Sequence, residues 1–168
     1  MTCAMRPVVG AISLVARLGL GGMLAFSGLM KLGIWNVFGL IEPMTPRDFA
    51  PSIEGFKLGL PSSLVIVLAF VVPWTELLAG VALLAGWWSR SAALVASLLM
   101  LTFVGLIWSA NARGLALDCT CFGAIKMFCS GKLGACHMAR NGVFAALGLW
   151  VVAAGGGYFS LDRCLRRC

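Results

Sequence analysis

Four stretches of this chain are apolar over the length of a helix: Val8 to Ile34, Ser62 to Trp88, Ser91 to Ala110, and Asn141 to Phe159. About 20 residues of α-helix cross a hydrocarbon core about 30 Å thick. In lipid, a spanning segment must satisfy its own backbone hydrogen bonds, which leaves helices and closed barrels. The fold class that follows is all-α: an antiparallel four-transmembrane-helix bundle with both termini on one side. Two extramembrane loops, 36–61 and 111–140, lie on the other side. Residues 1–168 are expected to form a single transmembrane domain. Composition agrees, with 61% apolar and 11% charged residues, against about 25% charged in soluble domains.

The net charge of +7 does not mark a nucleic-acid binder, because the basic residues flank spans and form no stripe. The segment before the first span carries Arg6. The apolar run then continues well past a signal-peptide core, with Arg17 inside it, so an uncleaved first span is expected. The short segments on the terminal side hold Arg6, Arg90, Arg163, Arg166 and Arg167 with few acids. The opposite loops are longer and mixed in charge. The positive-inside rule weights short loops, so the termini are expected in the cytoplasm of a bacterial inner membrane. Loop 111–140 is then periplasmic.

The first span carries glycines at 19, 21, 22, 28 and 33, small residues that let helices approach closely in lipid. Lys31 and Trp35 mark its far interface. The connection 36–61 is rich in proline and charge, with room for a short surface helix in SIEGFKLGL. The second span contains Pro73 and, one turn later, Glu76. Arg17 and Glu76 are the intramembrane charges, and such charges usually face the bundle interior with a partner. At about 1.5 Å per residue from the terminal-side ends, both lie roughly 14–18 Å deep, so they are expected to pair. Trp35, Trp87, Trp88 and Trp108 fit an interfacial belt, while Trp74 and Trp150 are expected to pack deeper.

The chemistry-bearing segment is LDCTCFGAIKMFCSGKLGAC, residues 117–136. It holds four of the seven cysteines and is followed directly by the sole histidine, His137. In an oxidising compartment such cysteines form disulfides. Cys119 and Cys121 are candidates for a redox pair, and Cys129 and Cys136 for a second pair. Four cysteines allow three connectivities, and sequence does not choose among them. A static pair of staples is an equal reading from spacing alone. Zinc ligation fits poorly, because its cysteines are usually spaced C-x₂₋₄-C; no metal site is assigned. Lys126, Lys132 and Arg140 are near enough in sequence to favour a thiolate. Cys3, Cys164 and Cys168 fall on the terminal side and are expected to be free thiols.

DCTCFG, followed by ARNG at the head of an apolar span, resembles the DCGCFG…RN signature of the MauE branch of the DoxX-like membrane proteins. RLGLGGMLAFSGLMKL and PWTELLAGVALLAGWWSR resemble the first- and second-span patterns of that superfamily. The resemblance runs from Arg17 to Asn141. Thr120 stands where the family pattern has glycine, and Cys129 and Cys136 lie in an insertion. The resemblance implies a four-helix, redox-associated membrane protein. The family is linked to methylamine utilisation, through disulfide formation in a dehydrogenase subunit. It also matches Cys119 and Cys121 to the family cysteines, and Arg140 and Asn141 to the family Arg-Asn.

The expected function is thiol–disulfide exchange through the external C-x-C loop with a periplasmic client, possible coupling being to a membrane quinone. The alternative is a non-catalytic accessory subunit of a larger membrane complex, with a disulfide-stapled loop. The lipid bilayer is a partner in either case.

Overall fold

The structure, a computed structural model, describes residues 5–33, 45–115, 117, 129, 132–158 and 160. Among them are five helices: α1 (Met5–Lys31), α2 (Pro46–Gly55), α3 (Ser62–Ala85), α4 (Ser89–Ala112) and α5 (Ala135–Ala154). Four of these, all but α2, are long and apolar enough to cross a membrane. Their outward faces carry Val15, Val67, Leu78, Leu98 and Val143, all exposed, as lipid contact requires. Trp74 and Trp150, expected to pack deeper, are 47% and 41% exposed and belong to this outer surface.

The helix ends follow local chemistry. α3 stops at Gly86, whose φ of 70° is left-handed. There Trp87 N–H donates to Ala82 O and Gly86 N–H to Leu83 O, at 3.0 and 3.1 Å, the paired bonds of a Schellman stop. α4 ends the same way at Gly114, through Leu115 N–H to Ala110 O. α5 starts after Gly134 and stops at Gly155, where φ is 86°. The fourth span therefore begins ahead of Arg140 and Asn141, and both lie inside the helix. The surface helix also lies earlier than expected. Pro46 supplies a ready-made first turn, and Asp48 accepts from Thr45 N–H and Thr45 Oγ1 at 2.8 and 2.7 Å. Lys57, with φ at 48°, lies just beyond its end.

α1 packs chiefly on α3, and α4 on α5, with α1 also touching α5. The α1–α3 seam is made of small residues. A Cβ on Gly80 would run into Ala25 backbone, and one on Gly28 would meet Pro73 O and Leu77. Gly148 of α5 lies against Ser97 of α4, whose hydroxyl donates to Ala93 O at 2.8 Å and Ala145 O at 3.3 Å. Leu20, Leu24, Leu83, Ala93, Ala96 and Val151 fill the centre.

The two ends of the bundle differ. At one end Arg17, 2% exposed, donates from Nη1 to Gly156 O at 3.1 Å and lies against Gly86. The start of α1, the α3–α4 turn and the end of α5 meet there. At the other end lie Lys31, α2, the end of α4 and the head of α5. There Arg113 donates to Phe56 O and Lys57 O at 2.7 and 3.1 Å, placing a cation at the carbonyl end of α2. Leu133 N–H donates to Leu117 O at 2.7 Å, joining the two flanks of the cysteine loop.

Candidate functional site

Ser27 and Lys31 stand one turn apart on α1 and face α3, one turn past Pro73. Lys31 Nζ lies 2.7 and 2.8 Å from the two carboxylate oxygens of Glu76. Ser27 Oγ donates to Glu76 Oε2 at 3.1 Å. Lys31 and Glu76 are each 1% exposed. Two charges at this depth are tolerable only because they neutralise each other and share further hydrogen bonds. Aromatic rings complete the enclosure. The Lys31 ammonium lies 5.0 Å from the centroid of Phe49 and 5.5 Å from that of Phe103, within cation–π range. Phe49 is the buried residue of α2, so the surface helix lids this centre.

The expected Arg17–Glu76 pair is replaced by Lys31–Glu76, and the reason is axial offset. Ala25 meets Gly80, and Gly28 meets Pro73 and Leu77, so Glu76 is level with the Gly28 turn. Arg17 lies about eleven residues back along α1, about 16 Å away. The beginning of α1 overhangs the α3–α4 turn, reaching Tyr158 and Gly157 through Gly10. Counting depth from the span ends misses that overhang. Lys31 is correspondingly an interior residue and not an interfacial anchor.

Arg140 and Asn141 enter the same centre from α5. With Ser27, Lys31 and Glu76 they form the polar wall of a cavity of about 20 Å³; Met23, Leu24, Met100 and Phe103 form the apolar wall. That volume suits about one water molecule. It does not admit a quinone ring. Asn141 is 2% exposed and His137 1%. They are one turn apart on the inward face of α5. Among the described residues, neither Asn141 Nδ2 nor His137 Nε2 meets a hydrogen-bond acceptor. Buried donors of this kind are rare in native structures and call for an explanation.

The head of α5 carries the sulfur. Cys129 and Cys136 are joined by a disulfide with Cα atoms 6.1 Å apart, inside the usual range. This selects one pair from the connectivities that the sequence left open. Cys129 is 9% exposed, whereas Cys136 is exposed. Cys136 is the second residue of α5. Next to it His137 Nδ1 accepts from Gly134 N–H at 3.4 Å, which makes Nε2 the donor of the ring. Arg140 is one turn after Cys136, and His137 and Asn141 occupy the adjoining inward face. One helix therefore presents a disulfide at its tip and the wall of a buried ion-pair site a turn below.

Cys119 and Cys121 lie outside the described residues, as do Cys3, Cys164, Cys168, Trp35 and Lys126. The described residues contain no group of three or more His, Cys, Asp or Glu able to hold a metal ion. Ser27, Lys31, Phe49 and Phe103 are site residues that sequence reading missed. The signal available was the Ser27–Lys31 spacing, which puts two polar groups on one face of an otherwise greasy helix.

The family model described as methylamine utilisation protein MauE matches residues 9–154. No curated protein and no solved structure matches the chain.

Proposed function

From the premise that the chain belongs to the MauE family, we propose that it is a membrane thiol–disulfide exchange protein whose working cysteines lie in loop 111–140. The observation that carries this reading is the Cys129–Cys136 disulfide, with Cys136 an exposed residue, seated at the head of α5. In this reading a client dithiol is oxidised to a disulfide and the Cys129–Cys136 bond is reduced to two thiols, two electrons and two protons moving together. In this reading Cys119 and Cys121 remain the loop's C-x-C redox pair and exchange with the client or with Cys129 and Cys136, the second pair. The compartment that suits this chemistry is the bacterial periplasm, where disulfides persist. The loop then faces outward from the inner membrane.

The test is differential alkylation of the membrane-embedded protein before and after addition of a reduced dithiol peptide. Exchange predicts that Cys129 and Cys136 become alkylatable in step with oxidation of the peptide. A bond that stays closed, with the peptide unchanged, refutes exchange and favours the accessory-subunit reading.

A further inference from the structure

We propose that Cys136 is the sulfur at which an incoming protein thiolate enters, and that Cys129 is the internal partner that departs. This rests on the exchange reading above and adds a direction to it.

Thiolate attack on a disulfide depends on access to the sulfur attacked, so a bond with one exposed and one buried cysteine is attacked at the exposed one. Cys136 is exposed and Cys129 is 9% exposed. The fold makes this asymmetry. Cys129 is buried, as is Leu133, four residues on, whose N–H is tied to Leu117 O. Cys136 stands on the first turn of α5, on the face next to that of the buried His137.

The same placement sets the chemistry of the later step. The first N–H groups of a helix lack partners within it and carry the positive end of the dipole. A negative sulfur at the second position is stabilised by them. Arg140, one turn on, and the exposed Lys132 add positive charge nearby. The sequence of bonds is then fixed. The client thiolate bonds to Cys136 Sγ, the Cys129–Cys136 bond breaks, and its electron pair goes to Cys129, which takes up a proton from solvent. A second client thiolate attacks the client sulfur of the mixed disulfide. Cys136 leaves as the thiolate that the helix end favours. The client has lost two electrons, and the cysteine pair has gained them.

The experiment uses the natural chain in lipid nanodiscs. A biotin-tagged peptide with one cysteine is added briefly, N-ethylmaleimide stops the reaction, and mass spectrometry locates the peptide. The expected result is peptide on Cys136 and maleimide on Cys129, with Cys136 favoured over Cys129 about tenfold. Peptide found mainly on Cys129, or on Cys119 or Cys121 with the Cys129–Cys136 bond intact, overturns the assignment and leaves exchange standing. Absence of peptide from every cysteine removes the exchange reading, and this inference with it.

Discussion

Glu76 shows most directly how a single residue is held in this bundle. Its carboxylate is taken out of water and given Lys31 and Ser27 in exchange. Removing one member of such a pair strands the other, a loss of about 3–5 kcal/mol. Lys31→Met and Glu76→Gln should each lower the thermal midpoint in detergent sharply. The double variant Lys31→Met with Glu76→Gln should be much less damaged than the sum of the two. A double-mutant cycle measures this coupling, and additive losses would show that the pair does not act as a unit. Gly86 is the residue-scale feature of the opposite end. Its φ is 70°, and a Cβ there would meet Arg17. Gly86→Ala should cost about 1–3 kcal/mol, read as a drop in midpoint. A neutral result would refute both the backbone strain at this φ and the contact with Arg17.

At the scale of elements, the contrast among glycines is the informative one. Gly28 and Gly80 are filled from across the α1–α3 seam, while Gly19, Gly22 and Gly105 have open space around the position of a Cβ. Gly80→Val should separate α1 from α3 and destabilise the protein, whereas Gly22→Ala should be neutral or mildly stabilising, since alanine is the better helix former by about 1 kcal/mol. Equal effects would refute close packing as the role of this seam. α2 offers a pH-dependent counterpart. The Thr45 hydroxyl, and then the Thr45 backbone N–H, donate to the Asp48 carboxylate and hold its pKa below the ordinary 3.8. The folded value lies below the unfolded one, so the cap contributes fully above about pH 3.8. That contribution is lost as pH falls through the lowered value. Amide exchange in the first turn of α2 should therefore accelerate in acid beyond the intrinsic pH trend, and Asp48→Asn should remove the effect. An unchanged profile in that variant would assign the fraying to another group.

At the scale of the whole molecule, the spans were legible because crossing lipid demands a continuous apolar helix, a requirement written into each segment alone. The partner of Glu76 was not, because it depends on how far α1 slides along α3. That offset is set by Gly80 meeting Ala25, a property of two segments together. The start of α5 at Ala135 is hidden in the sequence for a related reason: Arg140 and Asn141 look like a flank until a cavity wall is there for them to face. The pairing of Cys129 with Cys136 is open in sequence, because it depends on where the fold brings the two sulfurs together. This division of labour leads to the last prediction. The Cys129–Cys136 bond closes a short loop, with a sequence separation of 7, worth about 2 kcal/mol of loop entropy. The apolar core made by Leu20, Leu24, Leu83 and Ala93 does not include either sulfur. Reduction should therefore leave the helical circular dichroism essentially unchanged while raising amide exchange at Leu133 and in the first turn of α5. Loss of helix throughout the bundle on reduction would make the bond a staple of the whole fold, which an exchange protein that must open it in every cycle cannot tolerate.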